Sequence, residues 1–95
     1  MQSAEGLIRF EELRAQSQRL LIAFVNGEIQ LGFTFAESAA MERDLGNIQH
    51  YQQAKRHLEE AVTTIRRFLN RIANTETRTA AANGCAELER ALAAL

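Results

Sequence analysis

Between Ala4 and Val25 the apolar side chains recur at three- and four-residue steps, at Phe10, Leu13, Leu20 and Phe24, with Ser17 as the polar member of the series. This is the period of an amphipathic helix. Leu21 and Val25 widen the stripe, so its C-terminal end is expected to be the most buried part. Asn26-Gly27 follows, and glycine suits the left-handed position that often closes a helix. The pattern therefore predicts a first helix over 4–25.

The next stretch, "EIQLGFTF", supports two readings. Ile29, Leu31, Phe33 and Phe35 alternate with polar or small residues after Asn-Gly, which is a β-hairpin signal. Ile29, Phe33, Ala36 and Ala40 also fall within one helical arc, and "AESAAMERDL" continues with helix formers and no alternation. A lone hairpin among helices would leave two sheet edges to cover. A second helix over 28–44 is the preferred reading, with Gly46-Asn47 as its stop.

A third helix over 48–73 has the most regular pattern. Tyr51, Leu58, Ile65 and Ile72 repeat every seven residues, and Ala54, Ala61 and Phe68 fill the intervening position. Ala54 and Ala61 allow close approach of a neighbouring helix, and Ala36, Ala39 and Ala40 offer a matching small surface. The second and third predicted helices thus read as an antiparallel hairpin. "NTETRT" carries capping residues, and Ala81, Cys85, Leu88, Leu92 and Leu95 mark a fourth helix over 76–95. Asn83-Gly84 within it predicts frayed or separate first turns. The expected fold is all-α: one domain, 1–95, forming an antiparallel bundle of three to four helices.

Charge and composition narrow the function. Eleven basic and 12 acidic residues are interspersed along the 95-residue chain, for a net charge of −1. Nucleic-acid binding normally shows as a basic surplus or stripe, and membrane anchoring as a polybasic cluster, so neither partner is expected. The longest apolar run, "LLIAFV", is far too short to cross a bilayer. The N-terminus lacks the basic start and apolar block of a secretory signal. Cys85 is the single cysteine, which rules out an intrachain disulfide or a C-x-x-C site. These features lead to the expectation of a cytoplasmic protein. Proline is absent, so nothing in the composition imposes a kink on a long helix.

The reactive side chains concentrate in residues 43–69. His50 and His57 are seven residues apart, about 10 Å along a helix axis. One metal ion cannot bridge that distance within a helix; an inter-subunit metal or a pH-sensitive contact is the remaining chemical reading for them. A histidine phosphotransfer domain carries lysine and glycine after its histidine where this chain has Glu60 and Ala61, and a carboxylate repels phosphate. A ferritin-like di-iron site needs Glu-x-x-His, and His57-x-x-Glu60 has the reverse order. Glu11, Glu12, Glu59, Glu60, Glu87 and Glu89 all fall off the apolar stripes and read as solvated faces. Arg66, Arg67 and Arg71 form the one basic cluster, a candidate surface for an acidic partner, although Glu59, Glu60 and Glu76 nearby favour a mixed solvated face. Cys85 lies on the last stripe and reads as a small core residue, and Tyr51 as a core-edge residue with its hydroxyl in water. No glycine-rich phosphate loop or nucleophile elbow is present.

"GNIQHYQQAKRHLEEAV" is similar to the second helix of a tetratricopeptide-type hairpin. A Gly-Asn turn leads to an aromatic residue, then alanine, a large residue and alanine, here Tyr51, Ala54, Leu58 and Ala61. Ala36, Ala39 and Ala40 stand in for the first helix, and the microtubule-interacting and trafficking hairpin looks alike over the same residues, 36–69. The turn from Gly46 to Tyr51 is longer than the family's, and no proline closes the unit. The resemblance implies a helical interaction module. One unit forms no groove alone, since solenoids need about three repeats.

The sequence therefore predicts a non-catalytic protein–protein interaction module or a self-associating helical bundle, with no cofactor. Its partner would be another protein or a second copy of the chain in a homodimer. Tyr51, His57, Arg66, Arg67 and Arg71 are the candidate partner-binding residues. The alternative is a signalling or metal-binding bundle that uses His50 and His57.

Overall fold

A computed structural model describes residues 4–95, which form three helices: α1 (Ala4–Asp44), α2 (Ile48–Leu69) and α3 (Thr75–Ala93). No strand occurs among these residues, so the chain is all-α and the hairpin reading of residues 20–35 is excluded. The molecule measures 67 × 20 × 15 Å. Its length is set by α1, whose 41 residues span about 62 Å at 1.5 Å per residue.

The sequence predicts two helices, over 4–25 and 28–44, where a single helix runs through both. Asn26-Gly27 fails to stop it for a physical reason. A Schellman-type stop needs a left-handed glycine, and Gly46 is the only residue described with positive φ, at 77°. Val25 and Ile29 flank Gly27 on the core side and are 0% and 8% exposed. Their burial outweighs the roughly 1 kcal/mol that an interior glycine costs a helix.

The true stop comes at Gly46. Its N–H donates to the Arg43 carbonyl at 3.0 Å, and the Asn47 N–H donates to the Glu42 carbonyl at 2.9 Å, the paired bonds of a Schellman motif. No atom within 4 Å would obstruct a Cβ at Gly46, so its cost is purely conformational. Gly46→Ala is therefore expected to lower the unfolding free energy by about 1–2 kcal/mol, measured by urea denaturation. An unchanged midpoint would show that the turn relaxes into a right-handed alternative.

α2 turns back along the C-terminal half of α1, and α3 then packs against both. α2 ends at Leu69, four residues earlier than the predicted 73. The chain closes there in tight turns, with the Arg71 N–H bonded to the Phe68 carbonyl and the Ile72 N–H to the Leu69 carbonyl. Ile72 still reaches the core at 1% exposure, so the heptad reading of its burial holds although its helix has ended. Asn74 caps α3 by accepting from the Thr77 N–H at 2.9 Å and the Thr77 hydroxyl at 3.1 Å. The predicted fraying at Asn83-Gly84 is absent, because α3 is continuous there. Gly84 instead lets Ile29 approach: an added Cβ would lie 3.2 Å from the Ile29 Cδ1.

The core combines Val25 and Ile29 of α1 with Leu58, Ile65 and Leu69 of α2 and Cys85 and Leu88 of α3. Small residues set the spacing, with Ala39, Ala54 and Ala61 all buried. On α1 the core-facing side chains are Ile22, Val25, Ile29, Gly32, Ala36 and Ala39. The stripe predicted to be buried, Phe10, Leu13, Leu20 and Phe24, points elsewhere and is 46–65% exposed. The two arcs differ by one residue, about 100° around the helix.

α1 outruns its neighbours. Gln18 marks the departure point: its amide donates to the Arg71 carbonyl at 2.9 Å and its side-chain oxygen accepts from the Ala73 N–H at 2.9 Å. N-terminal to Gln18, every residue described is exposed, and the helix projects as an arm.

Candidate functional site

α1 and α2 together frame a surface groove of about 360 Å³, with Phe35, Ser38 and Glu42 on one wall and His50, Gln53 and His57 on the other. The helical pairing that buries Ala39 and Ala54 brings these walls together. His57 stacks on Phe35 with ring centroids 4.9 Å apart and planes at 25°, and its Nδ1 lies 3.6 Å from the Glu60 carboxylate. The Asn47 side-chain amide donates to His50 Nδ1 at 2.8 Å, and the Glu42 carboxylate stands 3.8 Å from the same nitrogen. A lone pair that accepts the Asn47 bond is not free to ligate a metal. Among the described residues no cluster of three or more histidine, cysteine or acidic side chains could hold a metal ion.

The five residues predicted to bind a partner do not converge. Tyr51 is half-buried near the end of α3, and its hydroxyl donates to the Leu95 carbonyl at 2.7 Å instead of reaching into water. Lys55 lies over its ring at 5.9 Å. His57 faces the α1–α2 groove. Arg66 reaches across to α3 and binds Glu89 through two guanidinium nitrogens, the Nε–Oε2 contact measuring 3.3 Å. The hydrogen bond to Glu89 raises the Arg66 pKa, and nearby Cys85 and the Glu89 charge act in the same direction. Arg71 covers the Phe68 ring at 4.9 Å, and Arg67 lies on the outer face of α2 beside Arg56 and Glu60. The apparent basic cluster is thus divided among three directions, two of them occupied by contacts within the chain.

Cys85 is 0% exposed. Burial pushes its thiol pKa up, and the Arg66 cation only partly offsets this. A buried, protonated thiol is a poor nucleophile and a good core residue.

The most conspicuous surface includes the stripe of Phe10, Leu13, Leu20 and Phe24 that the sequence pattern assigned to the core. Along α1, Phe10, Leu13, Leu20 and Leu31 are 59%, 56%, 65% and 46% exposed, and Met41 is 58% exposed. Phe24 is 46% exposed and makes an edge-on contact with Phe68, 5.5 Å between centroids. Arg14 lies 5.9 Å from the centre of the Phe10 ring, a partial cover of a kind common on solvent-facing aromatics. The sequence signal for this surface was its regular three-and-four spacing. That spacing cannot say whether the stripe meets the chain's own helices or someone else's.

Despite its length, α1 lacks the apolar character of a membrane span, as do α2 and α3: no helix among the described residues is long and apolar enough to cross a bilayer. Compared with protein-family models, curated proteins and solved structures, the chain shows no match.

Proposed function

We propose that this chain is a non-catalytic helical protein–protein interaction module. In this reading the C-terminal half of α1, with α2 and α3, forms a small antiparallel bundle that holds out the arm of α1 as a docking element. The observation that carries it is the exposure of large apolar side chains on one side of the arm, with Leu7, Phe10 and Leu13 each more than half exposed. Burying such a side chain stabilises an association by about 1.5–3 kcal/mol before the costs of binding. An unpacked helical segment of this length is marginal in water, so a partner would also stabilise the arm itself. The tetratricopeptide-like hairpin of residues 36–69 fits the role of scaffold. A cytoplasmic setting fits the lone free cysteine.

The test places a photo-crosslinking amino acid at Leu13 in the producing cell, with Ala15 on the opposite side of the arm as control. Discrete protein adducts, to another protein or to the chain itself, are expected from position 13 and not from 15. Equal or absent adducts at both positions would overturn the proposal.

A further inference from the structure

Most of the large exposed apolar residues of α1 fall on a single seam, with Leu7 and Ile8 beside it at the tip of the arm. Starting at Phe10 and stepping by three and four, the positions are 10, 13, 17, 20, 24, 27, 31, 34, 38 and 41, an unbroken heptad series about 46 Å long. Six large apolar side chains lie on it, namely Phe10, Leu13, Leu20, Phe24, Leu31 and Met41, all 46–65% exposed. A period of 3.5 sustained over more than four heptads is the pattern of a coiled-coil face, and it runs beside the seam that already packs against α2 and α3.

We infer that this seam pairs antiparallel with the same seam of a second copy of the chain, an inference that rests on the interaction-module reading above and names its partner. Three observations select a second copy in this direction. Placing Phe10 opposite Met41 of the other copy sets Leu13 against Ser38, Ser17 against Thr34, Leu20 against Leu31 and Phe24 against Gly27. Phe10–Met41 and Leu20–Leu31 thus form apolar layers, Leu13 covers the small Ser38, Ser17 and Thr34 form a polar layer, and Phe24 meets the one seam position with no side chain. The space above Gly27 is open, since a Cβ there would find nothing within 4 Å.

The charges flanking the seam favour the same direction. In a parallel pair, Arg9 would face Arg14 of the second copy and Glu37 would face Glu42, like against like. In the antiparallel pair Arg9 faces Asp44 and Gln16 faces Glu37. Finally, at on the order of 100 Å² for each half-exposed apolar side chain, the six contribute roughly 600 Å² per copy. Two copies then bury roughly 1,200 Å² of apolar surface, which reaches the size of specific, stable interfaces.

The experiment combines sedimentation equilibrium with crosslinking of the full chain. Wild type is expected to be a dimer, and Gly27→Gln, whose Cβ has no atom of its own chain within 4 Å, is expected to keep its helical circular dichroism while its dissociation constant rises roughly tenfold or more. An equimolar mixture of Leu20→Cys and Leu31→Cys chains should oxidise to a covalent pair containing one of each. Leu20→Cys alone should not crosslink, because its two copies would stand about 16 Å apart along the axis, beyond disulfide reach. A Leu20→Cys homodimer, or a dimer indifferent to Gly27→Gln, would overturn the antiparallel register. A strict monomer would overturn the second copy as partner; if its Leu13 position still crosslinks to a different protein in the cell, the interaction-module reading survives that result.

Discussion

Leu88→Ala is expected to lower the unfolding free energy by about 3–5 kcal/mol, the upper part of the range for truncating a fully buried leucine. Leu88 is 0% exposed and lies where α3 crosses α1, with both of its methyl groups over Gly32. Gly32 has no side chain that could move into the vacated space, so the cavity stays open and its walls lose their contacts. A chain of 95 residues has a total stability of roughly 5–14 kcal/mol, so the loss is a large share of it. Urea denaturation of the variant beside Leu20→Ala, under dilute conditions, provides the check. Leu20 is 65% exposed, and its truncation is expected to cost less than about 0.5 kcal/mol. Comparable losses at both positions would mean that the core is not centred where α1, α2 and α3 meet.

Gly32→Val is expected to cost about 3 kcal/mol through the opposite fault. A Cβ at Gly32 would lie 2.7 Å from Leu88 Cδ1 and 3.1 Å from Cδ2, inside contact distance before valine's own methyl groups are added. Leu88 is enclosed and cannot swing clear without displacing its neighbours, so the helices must part or the rotamer must strain. The two positions are predicted to be coupled. With Leu88 reduced to alanine the obstruction disappears, and Gly32→Ala should then stabilise the fold by up to about 1 kcal/mol, the helix-propensity gain alone. A double-mutant cycle by urea denaturation measures this change of sign. Additive effects would show that Gly32 and Leu88 do not share a contact.

Gly27, Gly32, Gly46 and Gly84 show how one residue type takes different roles that local sequence does not separate. Gly46 ends α1 by adopting positive φ. Gly32 and Gly84 admit Leu88 and Ile29 at close range. Gly27 lies open in mid-helix with no neighbour. Asn precedes Gly27 and Gly84 and follows Gly46, so the dipeptides look alike in sequence. What distinguishes them is which large side chain arrives from another helix, a long-range fact that no window of the sequence contains.

The candidate site shows the same division. The histidines, tyrosine and arginines of residues 50–67 are close along the chain, yet α2 distributes them to the α1 groove, the end of α3, Glu89 and the outer face. Proximity in sequence became divergence in space because successive residues of a helix point about 100° apart.

Local sequence suffices to make the chain helical, to start α2, to turn Leu58, Ile65 and Ile72 inward, and to punctuate the fold at Gly46 and Asn74. Those features are local: the spacing of apolar residues, capping groups and a left-handed glycine act within a few residues of one another. Long-range packing settles that α1 runs unbroken through Gly27, and which of its two apolar arcs meets α2 and α3. Both arcs carry the same three-and-four spacing, so periodicity cannot rank them. The choice falls to fit, because the arc with Gly32, Ala36 and Ala39 allows the close approach that buries Leu58, Cys85 and Leu88, and the arc with Phe10, Leu20 and Phe24 is too bulky for it.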